Sequence, residues 1–426
     1  MLEVDGGRAR LGPIVVRSKD IPAHATARPA AAITARMEQS HTSAGERWTE
    51  LRHALHRAAE LSGAESRTAG LVAERLGAMG PTALHTGLGG HGVAAEFAGG
   101  TPGRAVLLRA ELDALPIPEP AGPPYRSRDP GVSHRCGHDG HMTMVLAAAE
   151  RVLGSPGFAG RLVLLFQPAE ETGAGARGVV ADPRWARLRP DCALALHNLP
   201  GVPMGRVVCR PGPMHCSSAG LTCAWSGVAT HAATPELGRS PAGAMAALIG
   251  AATGVNAGDT VGGVRPQRGW LATVVGARLG AEGPVAFGMS PAEGRVDITA
   301  RAHTDDGLDA LLGLLKRVAV EASGGLEPAF TEHDRFDATV NHPEAVGVAQ
   351  LAALRCGLAT HEPDEPIRWS EDFGVICRQC PGAMIGLGAG VSHPPLHSSE
   401  YDFPDALIPV GAGLLAEAAL RACAGG

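Results

Sequence analysis

Apolar and polar positions along this chain follow two different styles. From residue 45 onward, helical spacing alternates with short continuous apolar runs. Helices are expected over 44–61 and 66–79, the second with Leu71, Val72 and Leu76 on one face. A glycine-rich turn at 87–92 leads to a strand at 93–97. The continuous runs 105–109, 162–166, 193–196 and 384–387 read as strands with both faces buried, as in a parallel sheet. An apolar helix is expected over 142–152 and a closing one over 409–421. Between about 217 and 330 the style changes. Runs 221–226, 271–278 and 295–302 read as half-buried strands, while Leu308, Leu311, Leu312 and Leu315 mark an amphipathic helix that Thr304 with Asp305 can cap.

Strands alternating with helices give an α/β fold class. The expected architecture is two-domain. A layered α/β catalytic domain with a mostly parallel sheet, in parts 45–216 and 331–426, is interrupted by a small α+β lid over 217–330. A chain of 426 residues exceeds a comfortable single core, which agrees with this division. Residues 1–44 are rich in Ala, Pro, Thr and Ser after a lone Ile14-Val15-Val16 cluster, far short of a signal peptide's apolar region. They read as a disordered or loosely packed extension.

Composition narrows the function by exclusion. A net charge of −6 without a basic run gives no reason to expect nucleic acid or a membrane surface as partner. No run reaches the roughly 20 apolar residues of a membrane span. Nine scattered cysteines, an odd number in a long chain, fit a reducing, cytoplasmic setting. The CxxC of Cys377 and Cys380 reads as incidental.

The chemistry concentrates in Ser133-His134-Arg135-Cys136-Gly137-His138-Asp139-Gly140-His141. Thiol and imidazole are donors for a transition metal, and glycines let donors two apart face one ion. Complementary donors stand after other buried strands: Glu111 and Asp113 after the second, Glu170-Glu171 after the third, His197 after the fourth, and His397 near the C-terminus. Strand ends converge on one rim of an open sheet, where such folds bind ligands. Gly173 to Gly178 formally matches GxGxxG. It follows a Pro-Ala-Glu-Glu insertion whose carboxylates would repel a pyrophosphate, so it reads poorly as a nucleotide loop.

The segments LLRAELDALPIPE, SHRCGHDGHMTM, LLFQPAEETGAGARGVV, ALHNLPGVPMG, THAATPELG, SEDFGVI and HPPLHSSEYDF resemble, in order, the amidohydrolase branch of the aminoacylase and carboxypeptidase family of co-catalytic metallopeptidases. That branch includes hippurate hydrolases, N-acyl-amino-acid amidohydrolases and auxin-conjugate hydrolases. The resemblance implies two divalent metal ions, Zn or Mn with Co or Ni also admitted, held by Cys136, His138, Glu171, His197 and His397. It implies Glu170 as general acid/base, Asp113 as the carboxylate that orients ligands, and His231 as the lid histidine that polarises the scissile carbonyl, often in a partner's site. It leaves His134 and His141 in supporting roles. A homodimer or higher homo-oligomer is implied on the same ground.

Elementary chemistry agrees with these roles. Two ions about 3.5–4 Å apart can hold a hydroxide between them and polarise an amide. One carboxylate must stay off the metal to move the proton, and adjacent Glu170 and Glu171 can divide that labour. The lid departs from the family pattern. Its usual Gly-His-Ala-Ala-Met-Pro-His reads Thr230-His231-Ala232-Ala233-Thr234-Pro235-Glu236, and its usual Phe-Asn-Val-Ile-Pro reads Phe287-Gly288-Met289-Ser290-Pro291. Glu111 stands where the family has Asp. The expected function is hydrolysis of an N-acyl-amino acid or related small amide, with altered substrate recognition. The alternatives are a dipeptidase or carboxypeptidase on short peptides, and a non-catalytic metal-binding homologue.

Overall fold

The computed structural model describes residues 43–120 and 123–425. Almost all of the extension expected over 1–44 lies outside them. Its last two residues, 43 and 44, open the first helix. The apolar runs assemble into an eight-stranded sheet in the order β1-β2-β4-β3-β5-β16-β6-β15. Its strands are β1 (Ala83–Leu88), β2 (Gly92–Ala98), β3 (Thr101–Glu111), β4 (Ala159–Gln167), β5 (Cys192–Pro200), β6 (Val207–Val208), β15 (Thr360–His361) and β16 (Gly382–Gly390). The four central strands β4, β3, β5 and β16 run parallel. The pair β6–β15 is parallel too, and β1–β2, β2–β4 and β6–β16 are antiparallel, so the sheet is mixed around the expected parallel centre. Of the antiparallel pairs, only β1 and β2 are close enough in sequence for a tight turn to join them.

Both faces of this sheet are covered, which is why its strands read as continuous apolar runs. Alternate residues serve opposite layers. Val106, Leu108, Leu162 and Leu164 meet α1 (Ser43–Arg57), α2 (Ser66–Ala78), α3 (His138–Leu153), α7 (Pro343–Arg355) and α9 (Leu407–Ala424). Leu107, Val163 and Leu165 face Val179 of α4 (Gly175–Ala181) and Ile376 of α8 (Gly374–Cys377). Helix α9 is long and apolar enough by composition to cross a bilayer. Eleven of its residues are buried, and it packs on α3, α7 and β3.

The second sheet has four antiparallel strands, in the order β10-β12-β8-β13. They are β8 (Ser217–Ser226), β10 (Leu271–Leu279), β12 (Glu293–Ala302) and β13 (Ala329–Phe336). Leu221, Cys223 and Ile298 pack against Leu248 of α5 (Ala242–Ala257) and Leu311 and Leu315 of α6 (Asp305–Glu321). The Thr304 side chain caps α6 by accepting from Gly307 N–H at 3.1 Å. Helix α5 escapes a periodicity reading because Ala, Gly and aliphatic residues surround it on every side. The chain enters and leaves this unit through paired strands, β7 (Gly212–His215) and β14 (Thr339–Asn341). A two-stranded ribbon, β9 (Thr230–His231) with β11 (Met289–Ser290), projects from the unit.

Helix α1 docks through charge as well as apolar contact. Buried Arg52 reaches Asp139 at 3.1 Å, Asp402 at 2.9 Å and Asp405 at 2.6 Å. His56 places Nδ1 2.8 Å from Asp139 and Nε2 3.0 Å from Glu119, an arrangement that suits a doubly protonated ring. Burial works against that charge, but the hydrogen bonds to the two carboxylates outweigh it and raise the pKa to about 9. The folded value lies above the ordinary 6.5, so the stabilisation is complete below about pH 6.5 and lost as pH rises through about 9. Urea unfolding should therefore show a loss on the order of 3 kcal/mol between pH 6 and 9.5 that His56→Gln does not share.

Candidate metal centre

The Cys136 loop is shaped by what surrounds it. Gly137 adopts φ 93°, and a Cβ there would lie 2.3 Å from Asn198 Oδ1 and 2.6 Å from the Tyr401 hydroxyl. No other residue fits both the left-handed backbone and the space. The turn places Cys136 on one side and His138, the first residue of α3, on the other. Pairing between β3 and β5 stops at Arg109 with Ala195, so His197 stands beyond the last shared rung while β5 continues alongside β16 to Pro200. Its Nε2 lies 3.4 Å from Cys136 Sγ.

Both imidazoles are held by main-chain carbonyls in the same way. His138 Nδ1–H donates to Asp113 O at 2.8 Å, and His197 Nδ1–H donates to Asn198 O at 2.9 Å. Each Nε2 is thereby left facing the cluster, the arrangement a metal-ligating histidine needs. Asp113 accepts from Ser62 Oγ at 2.7 Å and Glu171 N–H at 2.9 Å. Glu171 lies 3.8 Å from His138 Nε2 through one oxygen and 3.8 Å from His397 Nε2 through the other. His397 is half-exposed at the rim and holds a left-handed φ of 62°. Ala169, immediately before Glu170, is at φ 50°. Unfavourable backbone at both positions is held by the surrounding contacts, as happens at functional sites. One such contact is the Ala169 N–H bond to Glu65 at 2.8 Å.

These donors form overlapping groups: Cys136 with His138 and His197, Cys136 with Glu171 and His397, and His138 with Glu170 and Glu171. Asp113 Oδ1, His138 Nε2 and Glu171 Oε1 are buried with no hydrogen-bond partner. His138 Nε2 and Glu171 Oε1, 3.8 Å apart, are the orphaned pair a bound cation would satisfy, whereas Asp113 Oδ1 lies behind the ring, 3.6 Å from His138 Nδ1. Charge points the same way. Burial, reinforced by Glu171, Glu170 and Glu111, pushes the Cys136 thiol well above its ordinary range. Burial raises Glu171 to about 7, although His138 opposes it. Burial opposes charge on His138 too, but Asp113 and the nearby carboxylates hold it at about 10. Among the described residues no Arg or Lys pairs with Asp113, Glu170 or Glu171.

Glu170 borders this cluster and has a second set of neighbours. It is buried beside Glu371 and Asp372, and burial followed by those carboxylates and Glu171 raises its pKa well above the ordinary range. The neighbours are fixed by Arg109, which reaches Glu371 at 2.8 Å and Asp372 at 2.7 Å and also bonds Glu111. Gln167 Nε2 donates to both Asp372 oxygens at 2.8 Å. Glu111, the family's Asp in longer form, meets His141 Nδ1 at 2.8 Å with its second oxygen. The sequence reading gave Arg109, Glu371 and Asp372 no role. The SEDFG segment signals the last two only by resemblance, because their partners lie 263 and 205 positions away.

Other sequence candidates fall differently. His231 is exposed on the β9–β11 ribbon, its Nδ1 accepting from Ala233 N–H at 3.1 Å, and it belongs to none of the donor groups. His141 bridges Glu111 and Asn198, whereas His134 is buried with neither ring nitrogen bonded. The GxGxxG glycines fold the loop back on itself. A Cβ on Gly175 would lie 1.6 Å from Pro168 O, and the following Ala176 N–H is taken by Asp372 at 2.8 Å. Cys377 and Cys380 are both free thiols.

Comparison with known proteins places this geometry. Residues 107–421 match the family model described as Peptidase family M20/M25/M40. A hippurate hydrolase of Campylobacter jejuni is 29% identical over 87% of this chain and 95% of its own length. An N-acetyl-L-cysteine deacetylase of Bacillus subtilis is 30% identical over 87% of each. Among solved structures, a putative aminohydrolase from methicillin-resistant Staphylococcus aureus superposes with a TM-score of 0.78 at 25% identity, covering 91% of this chain and 98% of that one. A Bacillus subtilis protein described as a dinuclear metal binding peptidase from the M20 family gives 0.73 at 23% identity, covering 89% and 98%, and supports the fold. The chain belongs to peptidase family M20/M25/M40 and is a hydrolase of carbon–nitrogen bonds.

Proposed function

We propose that the protein is a metal-dependent amidohydrolase that cleaves an N-acyl-amino acid or a related small amide. The observation that carries this reading is the division of labour between adjacent glutamates. Glu171 lies 3.8 Å from both His138 and His397, while Glu170 borders the same group with His138 and Glu171 but is also set against the carboxylates of Glu371 and Asp372. Cys136, His138, Glu171, His197 and His397 would hold two divalent ions, of which Zn²⁺ or Mn²⁺ suits this mixed donor set. Bound there, the ions would supply Lewis acidity to the amide carbonyl and lower the pKa of water.

The chain's own residues supply the rest. Glu170 accepts the proton of the attacking water and returns it to the leaving amine, a task that suits a carboxyl whose proton affinity is raised by burial and by the neighbouring carboxylates. Asp113, through its main-chain carbonyl, holds His138 in the tautomer that leaves Nε2 free. His231 would donate to the oxyanion once the β9–β11 ribbon closes over a site, its own or that of a second copy. The hippurate hydrolase and deacetylase names of the relatives favour an N-acyl amino acid as the substrate class.

Glu170→Ala should retain its metal by elemental analysis while kcat falls about 10²- to 10⁴-fold, and undiminished turnover would overturn the assignment. A chelator should abolish hydrolysis of N-acetyl and N-benzoyl amino acids, and added Mn²⁺ or Zn²⁺ should restore it. His231→Ala should lower kcat by about 10²- to 10³-fold with little change in metal content. Mixing it with Glu170→Ala subunits would regain activity only where the ribbon serves a partner's site.

A further inference from the structure

Glu65 stands at the N-cap of α2, where an acidic side chain ordinarily accepts from the first free amides of the helix. Its side chain makes no such bond. Glu60 caps instead, accepting from Thr68 N–H at 2.9 Å and pairing with Arg67 at 3.0 Å. The Glu65 carboxylate turns inward. One of its oxygens accepts from Gly63 N–H of its own loop and, 104 positions away, from Ala169 N–H, both at 2.8 Å. The other oxygen is buried with no hydrogen-bond partner. Glu65 is 0% exposed, and the Asp113 carboxylate adds to the cost of its charge. Starting a helix does not account for a carboxyl kept in such a place.

What Glu65 holds is the turn that carries Glu170. Ala169 has φ 50°, a left-handed backbone that alanine adopts only at a cost. The carbonyls on this turn are taken locally. That of Ala169 accepts from Gly175 N–H at 3.0 Å, and that of Glu170 from Gly173 N–H at 2.8 Å. The amides on either side of Glu170 are instead taken by carboxylates from outside the turn. Glu171 N–H, after it, goes to Asp113 at 2.9 Å, and Ala169 N–H, before it, goes to Glu65. Without Glu65, the Ala169 N–H would lose its partner and the left-handed strain would have less to oppose it. Glu171 would keep its own anchor.

We propose that Glu65 is a positioning residue for Glu170, the acceptor that holds the Ala169 turn in its left-handed form. This rests on the reading of Glu170 as the proton carrier. A displaced general base loses turnover rather than binding, whereas the metal ligands, anchored separately, stay in place.

The test uses the full-length, metal-loaded protein. Glu65→Ala should lower kcat about 10- to 100-fold, with KM and metal content close to wild type. Glu65→Gln keeps an oxygen acceptor and should retain most of kcat. Glu65→Asp, one methylene shorter, should behave like Glu65→Ala and carries the test should the alanine variant not fold. Relief of strain gives a signature that a merely structural role would not. In an Ala169→Gly background the loss caused by Glu65→Ala should shrink about 5-fold, the factor of the left-handed penalty that glycine lacks. An undiminished kcat in Glu65→Ala overturns the proposal, as does a loss that comes with lost metal or that is the same in the Ala169→Gly background. A Glu65→Gln variant as impaired as Glu65→Ala also overturns it, since the charge and not the acceptor would then be needed. Hydrogen exchange over 168–175 reads the turn without turnover. It should quicken in Glu65→Ala and Glu65→Asp but not in Glu65→Gln, and unchanged exchange in all three overturns the proposal. Should Glu170→Ala remain active, the reading of Glu170 fails, while the exchange rates still decide whether Glu65 holds the turn.

Discussion

Buried negative charge at the carboxyl ends of β3 and β4 is the constraint the large unit is arranged around. Glu111, Asp113, Glu170, Glu371 and Asp372 are each at most 5% exposed, and Glu171 stands beside them. An uncompensated buried charge costs several kcal/mol, so each must be paired or be held neutral. Arg109 answers for three of them, being fully buried between Glu111, Glu371 and Asp372. Replacing any one of those partners would still leave two carboxylates facing the one guanidinium. Asp113 takes hydroxyl and amide donors instead. Glu170 and Glu171 have neither solution in full, and the two residues with the least compensation are those assigned to proton transfer and to metal.

That constraint explains why distant segments converge here. Gln167 at the end of β4, Ala176 at the start of α4 and Arg109 in β3 all hold Asp372. The loop after α1 supplies Ser62 to Asp113 and Glu65 to Ala169. Asp139, one residue past His138, is gripped by Arg52 and His56 of α1. The side chains proposed as metal ligands are thus oriented by a second layer of polar contacts, and their precision depends in part on α1, which carries no such donor.

Much of this was legible in the sequence, for identifiable reasons. Strands buried on both faces announce themselves as apolar runs, and the α/β class followed from their alternation with helices. The antiparallel β1 edge of the large sheet was not legible, because β1 is half-exposed and lacks an apolar run. Helices α5 and α7 were also missed. The first is apolar all round, and the second buries mainly small side chains, so neither shows a clean stripe. In the site, adjacent donors such as Cys136 and His138 stand out by density. Arg109 and Glu371 carry no local signal, since each acquires its role from residues far along the chain.

The same distinction separates what the family pattern carries over from what it leaves open. Cys136, His138, Glu171 and His197 are fixed by main-chain geometry and a crowded turn, so little freedom remains for them to vary in position. His231 and the segment from Phe287 to Ser290 lie on an exposed ribbon held by few contacts, and Gly288 has open space where a Cβ would stand. Side chains there can change without disturbing the charge balance beneath. On the proposed reading, substrate preference can therefore be rewritten at the ribbon while the buried carboxylates stay as they are.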